Sequence, residues 1–183
     1  MLFRSFIGFF AQGKLKRVSA SGGPAQTLCD AANGRGGDWN RDDVILFSPN
    51  SGGGISIQKV AAAGGVPVDV WKTNGDLRFP KFLPDGKHFL YVARGATEKG
   101  GLFLGSLDGS PTDGAADRRI LPDVSSALLA PGNPGFLLFV RQDILMAQPF
   151  DAATAQPAGE VLDRKSTRLN SSHIPLSRMP SSA

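Results

Sequence analysis

The stretch Phe82-Leu83-Pro84-Asp85-Gly86-Lys87-His88-Phe89-Leu90-Tyr91-Val92 reads as strand, tight turn, strand. Pro84 fixes φ and Gly86 accepts positive φ, so Pro-Asp-Gly supplies turn geometry between two apolar runs. The second run, Phe89 to Val92, has an upstream counterpart in Val44-Ile45-Leu46-Phe47 and a downstream one in Phe136-Leu137-Leu138-Phe139-Val140. Each is followed by another short strand: Ile55 to Val60, Leu102 to Leu107 and Ile144 to Gln148. Each of these runs into a turn: Ala63-Gly64-Gly65, Asp108-Gly109-Ser110 and Asp151-Ala152-Ala153. Val60 and Leu107 stand 47 positions apart, and Leu107 and Phe150 stand 43 apart. Strands and tight turns at this interval predict radial β-repeats, chiefly propeller blades.

The rest of the chain falls into register with these repeats. Phe6-Ile7-Gly8-Phe9-Phe10 takes the place of Val44 to Phe47, and Lys14 to Ser19 that of Ile55 to Val60. Ser21-Gly22-Gly23 matches Ala63-Gly64-Gly65, since Val18 and Val60 are 42 positions apart. Residues 1–19 are therefore expected to end a truncated first blade, and residues 20–162 to hold the propeller repeats. Gln156 to Leu162 is the expected strand after Ile144 to Phe150. The turn Asn40-Arg41-Asp42-Asp43 replaces the glycine of Pro84-Asp85-Gly86, and Pro131-Gly132-Asn133-Pro134-Gly135 lengthens it. Alternation along the strands is mixed, which predicts burial on both faces between neighbouring blades. Phenylalanine carries much of that packing, with 12 Phe against one Tyr and two Trp. The expected architecture is an all-β partial propeller of about three four-stranded blades, incomplete at both ends.

Bulk properties agree with a folded β-protein. A 41% apolar and 20% charged composition is that of a globular chain, and 23 Gly and 13 Pro suit a fold with many turns. Long amphipathic windows are absent. The net charge of +4 comes from Arg164, Lys165, Arg168 and Arg178, in a final stretch without Asp or Glu. The β-region is thus neutral and has no basic stripe with interleaved aromatics, which argues against nucleic acid as a partner. The segment 163–183, rich in Ser, Arg and Pro, is expected to be disordered. It resembles translated sequencing-adapter read-through and is expected to be non-native. No stretch nears the roughly 18 apolar residues of a membrane span. Met1 to Phe10 is a poor match to a signal sequence, lacking a small-x-small site.

Phe82 to Tyr91, together with Ser21-Gly22-Gly23-Pro24-Ala25-Gln26-Thr27-Leu28, resembles the TolB-type, WD-like propeller repeat. Gly34-Arg35-Gly36-Gly37-Asp38-Trp39 and Leu145-Met146-Ala147-Gln148-Pro149-Phe150-Asp151 are similar to propeller regions that follow the kinase domain in bacterial receptor-like serine/threonine kinases. The likeness covers roughly residues 6–162 and implies a sensor or protein-interaction module of a larger bacterial protein. In such families the propeller often lies outside the cytoplasmic membrane, which implies an extracytoplasmic or periplasmic parent. The implied partner is a protein, a peptide, or the missing blades of the parent chain. Alternatives are the propeller of a prolyl-oligopeptidase-like peptidase and a TolB-like periplasmic protein.

Catalytic sets are not found. The chain has no Gly-rich kinase loop, His-Arg-Asp or Asp-Phe-Gly. Gly34-Arg35-Gly36-Gly37 and Gly52-Gly53-Gly54 lack phosphate-loop spacing and read as loops. There is no Gly-x-Ser-x-Gly, and the two histidines are His88, at a strand start, and His173, in the tail. Asp38-Trp39-Asn40-Arg41-Asp42 opens like a calcium loop, but Asp43 stands at its glycine position and Pro49 at its glutamate position. Asp42 and Asp43 read as turn residues. Cys29 is the single cysteine, which excludes a disulfide within the chain and reads as a buried apolar residue at a strand end. Trp39 and Trp71 read as blade packing, with a ligand groove as the alternative. No catalytic, cofactor-binding or metal residue is assigned, and no enzyme activity is expected of the chain. Uncovered blade faces and sheet edges lead us to expect a marginally stable or aggregation-prone chain.

Overall fold

The computed structural model describes residues 6–50, 55–73, 76–94, 100–108 and 118–163. Every regular element among them is a β-strand, and the strands form four antiparallel sheets in chain order. Sheet 1 holds β1 (Phe6–Ala11), β2 (Lys14–Ser19) and β3 (Gln26–Asp30). Sheet 2 holds β4 (Gly37–Trp39), β5 (Val44–Phe47), β6 (Ile55–Ala61) and β7 (Val68–Thr73). Sheet 3 holds β8 (Asp76–Phe82), β9 (His88–Arg94), β10 (Gly101–Ser106) and β11 (Arg118–Leu121). Sheet 4 holds β12 (Leu128–Ala130), β13 (Gly135–Arg141), β14 (Ile144–Asp151), β15 (Gln156–Pro157) and β16 (Leu162–Asp163). The runs that set the repeat are the second strands of sheets 2, 3 and 4. The chain is a partial β-propeller: three sheets reach four strand positions, and the first has three strands among the described residues.

Period-2 alternation distributes the core. In β5, Ile45 and Phe47 pack toward Leu15, Leu28 and Cys29 of sheet 1, while Leu46 packs toward Leu77, Phe89 and Tyr91 of sheet 3. In β9, Phe89 and Tyr91 face sheet 2, and Leu90 and Val92 face Leu137 and Phe139 of sheet 4. The second strands of sheets 2 and 3 are thus buried on both faces, and there is one apolar cluster for each sheet-to-sheet junction. Trp71 and Tyr91, with ring centroids 6.3 Å apart, fill the junction of sheets 2 and 3. Burying a side chain of this size contributes about 1.5–3 kcal/mol, so repetition of the junction supplies the driving force.

The strand expected over Gln156 to Leu162 is split in two, and both pieces pair with β14. Gly159, at φ +95°, bends the chain away between them. The buried Gln148 amide follows the bulge, donating to the Gly159 carbonyl at 2.9 Å. Sheet 1 also includes β3, which binds the next sheet: Gly65 N–H donates to the Leu28 carbonyl at 3.1 Å. Gly64 sits so close to Leu28 that an added Cβ would lie 3.1 Å from the same oxygen. Here the turn read as Ala63-Gly64-Gly65 needs its glycines for φ of +94° and +139° and for close approach.

Strand β8 departs from the simple pattern. It carries Pro80, which has no N–H for the ladder, and Phe79 at φ +54°, and its register with β9 shifts between Arg78 and Lys81. The bulge turns Phe79 toward the preceding sheet, where its N–H donates to the Arg35 carbonyl at 2.9 Å. The Gly52-Gly53-Gly54 loop, His173 and the polar tail from Arg164 lie outside the described residues.

Candidate functional site

The first strands of sheets 2, 3 and 4 converge on a cleft of about 490 Å³, lined by Asp38, Arg41, Lys81, Phe82, Leu129 and neighbouring turn residues. The segments β4, β8 and β12 are short or bulged and end in the turns Asn40–Asp43, Pro84–Lys87 and Pro131–Pro134. One position before the turn-facing aromatic, sheet 2 has Asp38 (before Trp39) and sheet 3 has Lys81 (before Phe82), as the pairings of Trp39 with Ile45 and Phe82 with Phe89 fix. Repeat-equivalent positions therefore bring an acid and a base to one opening. Lys81 Nζ lies 3.8 Å from Asp38 Oδ1, and Asp38 Oδ2 accepts the Phe82 N–H at 2.9 Å.

Asn40 fixes the floor of the cleft. It is 5% exposed, and its Nδ2 donates to the Gly86 carbonyl of the next sheet at 2.9 Å. Its Oδ1 accepts the Asp42 and Val44 amides at 3.0 and 2.9 Å, closing the β4–β5 turn. Arg41 Nη2 donates to the Asp85 carbonyl at 3.1 Å, a second tie between the same two turns. Asp42 and Asp43 lie in that turn, and Asp43 Oδ1 accepts Trp39 Nε1–H at 3.1 Å. Among the described residues no group of three or more His, Cys, Asp and Glu is arranged to hold a metal.

A smaller groove, about 410 Å³, runs between β1 and β4, lined by Phe6, Phe10, Leu15, Trp39 and Ile45. Trp39 borders both openings and stacks on Phe6 at 6.5 Å, whereas Trp71 is 2% exposed in the core. Of the two tryptophans, Trp39 borders these two grooves and Trp71 does not. Sequence reasoning missed the larger cleft because its residues come singly from segments some 40 positions apart. The opposite charges of Asp38 and Lys81 at equivalent repeat positions were the available signal.

The remaining candidates are placed away from the cleft or spent on structure. His88 sits at the start of β9, with Nδ1 2.5 Å from Asp85 Oδ2, while Asp85 Oδ1 accepts the Lys87 and His88 amides at 3.0 Å. Burial pushes the Asp85 carboxyl up, but the His88 ring, those amides and the imidazole charge outweigh it and hold the group below its ordinary value. Cys29 lies in β3 within the first junction; burial, and then the Asp30 carboxylate, push its thiol up. That is the environment of an inert cysteine. Gly34 to Gly37 form the loop into β4, where a Cβ at Gly37 would lie 2.6 Å from the Leu46 carbonyl.

No protein-family model matches this chain, and no curated protein matches it. Among solved structures, it is similar to an assigned TolB from Agrobacterium tumefaciens, with a TM-score of 0.62 and 14% identity over 86% of this chain and 59% of the other. It is similar to a chain of a nidogen/laminin complex, with a TM-score of 0.57 and 12% identity over 84% of this chain and 57% of the other. TolB from Acinetobacter baumannii gives 0.59 and 12% identity over 85% of this chain and 41% of the other. Likeness at this identity carries the fold, and the chain spans less than two thirds of each. No helix among the described residues is long and apolar enough to cross a membrane.

Proposed function

We propose that this chain is a non-catalytic propeller module of a larger protein, which binds an extended protein or peptide segment at the cleft where β4, β8 and β12 converge. The observation that carries the reading is the make-up of that cleft. A carboxylate (Asp38), two cations (Arg41, Lys81) and apolar surface from Phe82 and Leu129 face one opening. Mixed charge beside apolar surface suits a peptide, whose backbone and side chains present both. The aromatic Trp39 at the rim supplies the kind of rigid anchor that dominates such contacts. On this reading nucleic acid is not a partner, because the sequence before the basic tail carries no net charge and shows no basic stripe.

The parent is proposed to be a propeller-bearing serine/threonine kinase of the receptor-like kind, with the propeller outside the cytoplasmic membrane. A second reading, a TolB-like envelope protein, is favoured by the two TolB structures among the similar folds. The test is selection of a displayed peptide library on the full chain, followed by calorimetry on the selected peptide. Lys81→Glu and Arg41→Glu are expected to weaken binding at least tenfold, about 1.4 kcal/mol each. Saturable binding that both variants leave unchanged would move the site elsewhere, and a library yielding no binder would remove the proposal.

A further inference from the structure

The cleft at the first strands of sheets 2, 3 and 4 does not end at Leu129. A second opening of about 300 Å³ adjoins it, and the two share Pro84, Leu129 and Pro131 as lining. Pro84 belongs to the turn after β8, Leu129 to β12 and Pro131 to the turn after β12, so the second opening lies along the junction of sheets 3 and 4. Its walls are mostly apolar: the buried Phe150 and the rings of Pro131 and Pro134 are among them. Among the described residues, the one charged side chain lining it is Asp151, at the end of β14.

The two ends of this path differ in charge chemistry. In the cleft, Lys81 Nζ stands 3.8 Å from Asp38 Oδ1, longer than a hydrogen bond, and its side chain is 43% exposed. Arg41 directs Nη2 to the Asp85 carbonyl, a neutral acceptor, so that bond leaves the guanidinium charge in place. Asp38 is already engaged by the Phe82 N–H. A carboxylate on the ligand is the group that would complete Lys81 and Arg41. At the far end Asp151 is preorganised: Oδ1 accepts the Ala153 amide and Oδ2 the Thr154 hydroxyl, each at 2.9 Å. The hydroxyl first, and then the amide, hold its carboxyl below the ordinary value, so it offers a fixed negative charge at neutral pH. We propose that the bound segment places an acidic side chain at Lys81 and Arg41, an extended apolar stretch over Pro84, Leu129 and Pro131, and a basic side chain at Asp151. Opposite charges at the two ends set the direction and register of the segment, while the apolar middle supplies contact area. The inference rests on the peptide reading above and gives its occupant an order of charges.

Peptides selected from a displayed library on the full chain serve as the probe, because a library samples every spacing between the two charges. The selected sequences are expected to share one acidic and one basic residue at a fixed separation, with apolar residues between them. Calorimetry then pairs changes in the peptide with changes in the protein. Asp151→Asn keeps a turn acceptor and removes only the charge. It is expected to weaken the selected peptide about three- to fivefold, the range of a surface ion pair. The same peptide with its basic residue replaced by Ala is expected to bind wild type and Asp151→Asn equally. With its acidic residue replaced by Ala, it should likewise bind wild type and Lys81→Met equally. A library that yields no binder removes the peptide reading and this inference with it. Three results overturn the inference alone and leave peptide binding standing: selected sequences that lack either charge, binding that Asp151→Asn leaves unchanged, or a variant's effect that persists once the matching peptide charge has gone.

Discussion

Replacing Asn40 by Ala removes a buried side chain that joins two hairpin turns from successive sheets. Three hydrogen bonds go with it: to the Gly86 carbonyl and from the Asp42 and Val44 amides. Asp42 is exposed and water can replace its partner, but Gly86 is buried and Val44 partly so. A buried group left unpaired costs about 1–3 kcal/mol, so two such groups place the loss at about 3 kcal/mol. For a chain of this size each kcal/mol moves the melting temperature by roughly 2–4 °C, so the fall should be about 6–12 °C. Urea unfolding followed by tryptophan fluorescence reads the free energy, because Trp39 adjoins the affected turn and Trp71 is buried in the core of the same sheet. Thr27→Ala, on exposed β3 surface, serves as control and should stay within about 0.5 kcal/mol of wild type. A loss below about 1 kcal/mol for Asn40→Ala would refute the claim that this amide couples the sheets.

Other substitutions probe different parts of the account. A Cβ at Gly105 would lie 2.5 Å from the buried Phe89 ring, so Gly105→Ala should cost about 1–3 kcal/mol by overpacking; unchanged chemical denaturation would contradict it. Asp85 has a lowered folded pKa, so its contribution is present above the ordinary carboxylate range, near about pH 4, and lost as pH falls through the folded value. Melting curves from neutral to acid pH should therefore fall less steeply for Asp85→Asn than for wild type below that range, and parallel curves would count against the carboxylate's role. The Cys29 thiol, buried and pushed up, should react with a thiol-modifying reagent at neutral pH many times more slowly in the native chain than in urea. Equal rates would place it at the surface.

The legible part of the fold was its middle. Val44 to Phe47 and Phe89 to Val92 are continuous apolar runs because both faces of those strands are covered, and such runs, with their counterpart Phe136 to Val140, survive as a sequence signal. Pro84-Asp85-Gly86 was readable because its geometry is local; Gly86 indeed takes φ +74°. Strands at the margins of each sheet were harder to see. Arg118-Arg119-Ile120-Leu121 mixes cations with core residues, and β4 and β12 have three residues each. Strand β8 hides a proline and a positive-φ phenylalanine in a bulge, features that argue against a strand when only the sequence is read. The cleft was illegible for a different reason: its polar residues converge only once three sheets are stacked, and no local pattern records that convergence.

Successive antiparallel sheets stack face to face, with the second strands of sheets 2 and 3 buried on both sides. Nuclear Overhauser contacts in a side-chain-labelled sample test it directly. The account predicts cross-peaks between Trp71 and Tyr91 rings across sheets 2 and 3, whose centroids lie 6.3 Å apart, together with Leu90 to Leu137 contacts across sheets 3 and 4. Cross-peaks confined within sheets, with neither inter-sheet pair observed, would contradict it.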